Sequence, residues 1–273
     1  MRWILWVGLV FSATGMVSGT ISAQTVLKDV VYTTDSAGAQ HGDVYEPQGD
    51  GPFPAMVFLH GGSWRSGDKR EFARLGMDLA KQGYAGFSID YDLKPGSFPT
   101  SWEEARAAVR FVRNHAAEYH VDPKRIVIAG TSAGGELAAL VALAPQGPTA
   151  QQDGDVPVAG AVILNGVYDL CFPARVIKRY MGGTCASMKD AYADASPVHD
   201  VHEGAPPFFV GHGTKDWVVP YIAAQMFVED LQKGHVAVTP FIAAGGGHMY
   251  WRKKKYYDAN LAAVVRFLRT TVP

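Results

Sequence analysis

Residues 125–143 read RIVIAGTSAGGELAALVAL, and the change of character at the middle of this stretch decides the fold. Residues 125–129 form a short apolar run, the pattern of a strand buried in a sheet, and residues 133–143 read as a helix. Between them lies Gly130-Thr131-Ser132-Ala133-Gly134, a G-x-S-x-G. The chain must turn sharply there, and the flanking glycines let strand and helix approach closely. The Ser132 hydroxyl is then left exposed at the carboxyl edge of the sheet. The helix that follows aims its N-terminus at any negative charge that develops beside it. Glycine and serine are common, so the five residues alone mark only a turn. The strand before and the helix after are what select Ser132 as a nucleophile.

Outward from this point the chain alternates short apolar runs with longer amphipathic stretches. Strands are expected at 26–32, 42–45, 55–59, 85–89, 125–129, 158–164, 208–211 and 236–242. Helices are expected at 70–82, ending at Gly83, at 102–119 with Ser101 as its cap, and at 133–143, 221–233 and 257–269. Such alternation predicts an α/β fold, a mostly parallel central sheet with helices on both faces. Residues 145–157 are polar and rich in Gln, Gly, Pro and Asp, the composition of a surface loop. Residues 168–203 are less regular and are expected to form a small cap. No linker divides residues 24–273, which read as one catalytic domain.

A serine nucleophile on such a sheet is followed in chain order by an acid and then a histidine. Of nine histidines, His248 alone comes after the last expected strand at its carboxyl end, behind the flexible turn Gly245-Gly246-Gly247. Asp216 lies just past the strand at 208–211, on the same edge, where it can accept the Nδ1 proton of His248. Asp169, after an earlier strand, is the reserve candidate. The turn His60-Gly61-Gly62-Ser63-Trp64 directly follows the apolar run 55–59. Its glycines let backbone N–H groups face a reacting oxygen without side chains in the way.

At these residues the chain resembles the carboxylesterase branch of the α/β-hydrolases that includes the hormone-sensitive-lipase, feruloyl-esterase and acetyl-esterase relatives. His60 to Trp64, with Gly67-Asp68-Lys69 soon after, is similar to the oxyanion segment of those enzymes, and Gly130 to Gly135 to their G-x-S-A-G-G. The run from Pro206 to Gly213, then Asp216 and Val219-Pro220, resembles their acid loop, and Gly247-His248 their histidine turn. Ser88 to Leu93 resembles a further segment but has Asp92 where an arginine is usual, so no role is carried over there. The resemblance implies oxyanion donors at Gly61, Gly62 or Ser63 together with Ala133. It also implies a small-molecule ester substrate and no cofactor. Kynurenine formamidases share a similar H-G-G-x-W segment, but the expected export argues against that cytosolic role.

The function expected is therefore hydrolysis of short acyl or aromatic carboxylic esters, carbohydrate-linked ones included. A peptidase or amidase with the same triad is one alternative. A binding protein that keeps the fold without catalysis is another. Trp64, Trp217 and Met249 follow the three catalytic segments and are candidate substrate contacts, with packing beneath the loops as the alternative. The chain has neither H-E-x-x-H nor a Cys/His ligand spacing, and no metal is expected. A net charge of −1 over 273 residues offers nothing to nucleic acid.

Residues 1–23 are expected to be a secretory signal peptide: Arg2, a nearly apolar stretch from 3 to 17, then small and polar residues ending in Ser-Ala before Gln24. The apolar run is short for a membrane span, so no stable span is expected after its removal; an uncleaved anchor is the alternative. The expected location is secreted or periplasmic. An oxidising compartment lets Cys171 and Cys185 form a disulfide, the alternative being two separate buried thiols.

Overall fold

The apolar run before Ser132 and the seven other segments expected as strands pair into one eight-stranded sheet. The computed structural model describes residues 25–35, 38–143, 158–172 and 174–273. The expected signal peptide at 1–23 and surface loop at 145–157 lie outside the described residues. The strands are β1 (Thr25–Asp35), β2 (Gly38–Glu46), β3 (Phe53–Leu59), β4 (Ala85–Ile89), β5 (Val121–Thr131), β6 (Gly160–Leu164), β7 (Phe208–Gly213) and β8 (Val238–Ala243). Their spatial order is β1-β2-β4-β3-β5-β6-β7-β8. β1 and β2 are antiparallel to their neighbours, and from β4 to β8 every pair is parallel. The parallel register brings the carboxyl ends of β5, β6, β7 and β8 to one edge, and each functional segment leaves the sheet there.

Helices cover both faces, as parallel strands require. α2 (Thr100–Asn114), α3 (Ala133–Leu143) and α6 (Tyr221–Lys233) pack one face, through side chains such as Val109, Leu137 and Phe227 against Val57, Ile128 and Val210. α1 (Ala73–Ala80) and α7 (Lys254–Thr271) pack the other, where Leu75, Leu79, Val264 and Leu268 meet Met56, Val127, Val162 and Phe209. Gly83 has φ +86 and ends the α1 segment, the conformation a C-terminal glycine supplies.

Several boundaries differ from expectation, each for a local reason. The helix expected from residue 70 begins as a tight turn at Lys69–Phe72, because the Asp68 side chain caps the Arg70 N–H at 2.9 Å. Ser101 is not the cap of α2: it lies inside the first turn, buried, with its hydroxyl 3.2 Å from that of Tyr180. β5 starts at Val121, where it pairs with Phe53; the polar residues 122–125 hide that start from an apolarity reading. Val236 belongs to the exit of α6, its N–H returning to the Leu231 carbonyl at 2.8 Å, so β8 begins two residues later.

The expected cap is present as two short helices, α4 (Arg175–Met181) and α5 (Lys189–Asp194), with tight turns at Cys185–Ser187 and Pro197–His199. Cys171 and Cys185 form a disulfide, Cα to Cα 5.4 Å, across a sequence separation of 14. Closing a loop of about 15 residues contributes roughly 3 kcal/mol in the chain-entropy picture. α4 sits inside that closed loop. A third apolar cluster joins the cap to the sheet: Ile177, Tyr180, Met181 and Tyr192 pack with Trp64 and Ala133. Among the described residues no helix is long and apolar enough to cross a membrane.

Candidate active site

Ser132 sits between β5 and α3 with φ +53, a left-handed conformation that costs a non-glycine residue energy and is held by its surroundings. Its N–H donates to the Leu164 carbonyl at 3.0 Å, pinning the turn to β6. The two glycines of the motif are sterically required. A Cβ on Gly130 would lie 2.0 Å from the Gly134 carbonyl oxygen, and one on Gly134 would lie 2.2 Å from that of Leu59. Strand, turn and helix therefore touch through bare backbone, which lets the serine stand at the crest.

The three residues selected from chain order meet there in a hydrogen-bonded row. His248 Nε2 lies 3.0 Å from Ser132 Oγ, and His248 Nδ1 lies 2.7 Å from Asp216 Oδ2. The Asp216 side chain is fully buried while His248 is partly open to the cleft. Asp169 takes no part: its carboxylate accepts the Cys171 N–H.

Burial by itself would raise the Asp216 carboxyl, but hydrogen bonds from His212, His248 and the Val219 N–H outweigh that and hold it well below the usual carboxylate range. The Val218 and Val219 N–H groups reach Oδ1 at 2.9 and 3.0 Å. Asn165 Nδ2 donates to Oδ2 at 2.8 Å, and His212 Nε2 lies 3.3 Å from the same oxygen. An ionised Asp216 can only accept, so His248 carries its proton on Nδ1 and offers a bare Nε2 to the Ser132 hydroxyl. That is the protonation a general base needs.

Asn165 and His212 were not selected by sequence reasoning. Asn165 follows β6 at the carboxyl edge, which is a positional signal, but nothing linear ties it to Asp216. His212 precedes its acid by four residues, against the chain order that selects the catalytic histidine.

Beside Ser132 runs an open cleft of about 580 Å³. Gly61, Gly62 and Ser63 line it, and a Cβ on Gly61 would lie 3.2 Å from that of Ser132. The structure corrects one expected donor: the Gly61 N–H is already held by Glu71 Oε2 at 2.7 Å. The N–H groups of Gly62, Ser63 and Ala133 have no acceptor among the described residues. These three are the backbone N–H groups of the expected oxyanion set that are left free beside Ser132. Glu71 comes from the turn before α1, ten residues further on, and no pattern in the sequence marks it.

Two expected substrate contacts are also corrected. Trp64 is buried, its ring stacked on Tyr180 at 4.7 Å and its Nε1–H donated to Glu136 at 2.9 Å. An indole that can satisfy its N–H inside does not face the cleft. Trp217 is 91% exposed and lies outside the cleft wall, which its neighbour Val218 lines instead. Tyr250 and Trp251, after the histidine, are core residues. Met249 does line the cleft, in a left-handed conformation. Its remaining wall is polar: Asp68 is paired with Arg70 at 2.6 Å, and Glu71 with Arg252 at 3.4 Å.

The arrangement joins a nucleophile, a base with a free nitrogen, a buried anion behind it and unpaired backbone donors. It has the parts needed for acyl transfer. Proteins of known sequence and of known structure are similar to this chain. "Probable carboxylic ester hydrolase LipM" of Mycobacterium tuberculosis is 32% identical over 84% of this chain and 58% of its own length. "Esterase LipQ" of the same organism is 32% identical over 78% of the chain and 52% of its own length. The chain thus spans about half the length of the curated relatives it matches. The propionate-bound structure of esterase 2 from Thermogutta terrifontis superposes with a TM-score of 0.76 at 26% identity, covering 92% of this chain and 96% of that one. The α/β-hydrolase fold is common to both. Residues 43–231 match the BD-FAE family model, a span that includes the oxyanion turn, Ser132 and Asp216, and the chain belongs to the BD-FAE family.

Proposed function

We propose that the protein is a serine hydrolase of carboxylic esters working through an acyl-enzyme on Ser132. The observation that carries this is the row Ser132 Oγ, His248 Nε2, His248 Nδ1, Asp216 Oδ2, with spacings of 3.0 and 2.7 Å. Ser132 Oγ attacks the ester carbonyl as its proton passes to His248 Nε2, and the imidazolium is stabilised by Asp216. The tetrahedral oxygen is met by the Ala133 N–H at the start of α3 and by the N–H groups of Gly62 and Ser63. Each such donor contributes about 2.7–4 kcal/mol to the transition state. The imidazolium returns its proton to the leaving alcohol, and water, deprotonated by the same nitrogen, releases the acid.

The substrates proposed are short acyl esters of small or polar alcohols. The propionate held by the Thermogutta esterase supports this acyl size. The cleft supports it too. Val218 and Met249 are its apolar side chains, and two ion pairs make up much of the rest. A long acyl chain needs an extended apolar wall, and this cleft has none among its lining residues. Of the rings that follow the catalytic segments, Trp64, Tyr250 and Trp251 are buried and Trp217 is not among the residues lining the cleft. On p-nitrophenyl esters from acetate to palmitate, with a hydroxycinnamate ester beside them, kcat/KM is expected to peak at two to four carbons. A maximum at palmitate with activation at an oil interface would defeat the substrate reading.

We also propose that the protein is exported. The disulfide between Cys171 and Cys185 supports this, since such bonds persist in oxidising compartments. Expressed from Met1 in a Gram-negative host, the protein is expected in the periplasm or medium with a new N-terminus near Gln24. Recovery of the intact chain in the cytosol would refute export.

A further inference from the structure

Beneath the oxyanion turn is a buried acid with no part in the steps above. Glu136 lies on α3, one turn after Ser132, and is fully buried. Its Oε2 accepts the indole N–H of Trp64 at 2.9 Å, while Oε1 has no hydrogen-bond partner among the described residues. Among the described residues no cation is paired with it. Burial, which favours the uncharged form, pushes its carboxyl well above the usual range, only partly offset by the Trp64 hydrogen bond. Leaving such a group in the core is costly unless its one contact serves a purpose.

Trp64 directly follows Ser63, and the two adopt consecutive left-handed conformations, φ +56 and +51. Two successive non-glycine residues in that region must be held from outside. Three contacts hold Trp64. Glu136 takes its N–H; Tyr180 of the cap stacks on its ring at 4.7 Å; Arg179 donates to its carbonyl at 3.1 Å and to that of Leu93 at 2.9 Å. The last two come from α4, inside the disulfide loop. Of these three, only the Glu136 contact comes from the helix that follows Ser132 and begins with the Ala133 N–H.

We propose that Glu136 is a positioning residue: as the acceptor of the indole N–H it locks Trp64, and so sets the Gly62 and Ser63 N–H groups relative to Ser132 and Ala133. This rests on the serine-esterase reading above, since it assigns those groups a role in that reaction. The two donor sets lie on different segments, the β3 turn and α3, and a rigid side-chain bridge keeps them in one geometry. A displacement of about 1 Å in such a constellation can cost on the order of a hundredfold in rate.

The test compares Glu136→Gln, Glu136→Leu and Trp64→Phe, with Ser132→Ala as reference. Gln keeps an acceptor oxygen; Leu removes it; Phe keeps a ring on Tyr180 but loses the N–H. Glu136→Gln is expected to hold kcat within about threefold of wild type, whereas Glu136→Leu and Trp64→Phe lower kcat by about tenfold to a hundredfold at nearly unchanged KM. The double variant Glu136→Leu/Trp64→Phe is expected to lose no more than the worse single one, because both remove the same contact. Ser132 should still be phosphonylated in each folded variant. Folded Glu136→Leu with wild-type kcat, equal damage from Gln and Leu, or a change confined to KM would overturn the proposal. If Leu at 136 prevents folding, Trp64→Phe decides alone, by its kcat. Failure of the serine-esterase reading shows separately, as activity that survives Ser132→Ala.

Discussion

Replacing Ser132 with alanine is expected to lower kcat/KM for ester hydrolysis by about four to six orders of magnitude, with the folded state unchanged. The hydroxyl has one protein partner in the site, His248 Nε2 at 3.0 Å. Removing it deletes the attacking atom and leaves a nitrogen that water in the open cleft can satisfy. The backbone cost is already present, because alanine at φ +53 is strained as serine is, and the Ser132 N–H keeps its bond to Leu164. The purified variant should melt within a few degrees of wild type. It should no longer take up a fluorophosphonate probe, whose adduct in wild type should map to the Ser132 peptide. Retention of more than about a hundredth of the wild-type rate would mean that another group attacks the ester.

Asp216→Asn is expected to lower kcat by about 10³–10⁴, while Asp169→Asn stays within a few-fold of wild type. The Asp216 carboxylate receives His248, Asn165 and the Val218 and Val219 N–H groups. An amide cannot accept from all of them. Its NH₂ must face a donor, or face His248 Nδ1 and draw the imidazole into the tautomer whose Nε2 carries the proton. That nitrogen then cannot take the serine's. A buried donor left unpaired also costs about 1–3 kcal/mol of stability, so the Asp216 variant should melt lower as well. Asp169 is exposed and, among the described residues, accepts the Cys171 N–H. Side-by-side kinetics check the ordering; a larger loss at Asp169 would transfer the role to it.

The ease of finding Ser132, His248 and Asp216 in the sequence and the difficulty of finding Glu71 and Glu136 have one origin. The first three sit where a strand ends at the carboxyl edge, and strands announce themselves as apolar runs in fixed chain order. Glu71 and Glu136 lie inside stretches read as helices, where an acid is by default a solvated residue. Glu71 reaches back ten residues to Gly61, and Glu136 meets Trp64 across 72. Which acid turns inward depends on what packs against the helix, and helical periodicity does not say. The aromatic residues after each catalytic segment show the same limit. Trp64, Trp217 and Met249 occupy equivalent places in the chain, yet one is core, one is solvent-exposed and one lines the cleft.

By its order of apolar runs, glycine turns and single polar residues, the sequence alone determined the parallel sheet, the turn that presents Ser132 and the chain order of acid and base. These follow from short-range physics: the period of a strand, the steric need for Gly130 and Gly134, and the rule that parallel strands end on one edge. Tertiary structure alone decided that Gly61 spends its N–H on Glu71, that Trp64 turns inward onto Glu136 and Tyr180, and that the cleft is walled by ion pairs rather than rings. Those outcomes depend on which distant segments arrive beside each other. A hydrogen bond or a stack is decided by angstrom-scale distance, and distance between remote residues exists only once the sheet has closed the chain upon itself.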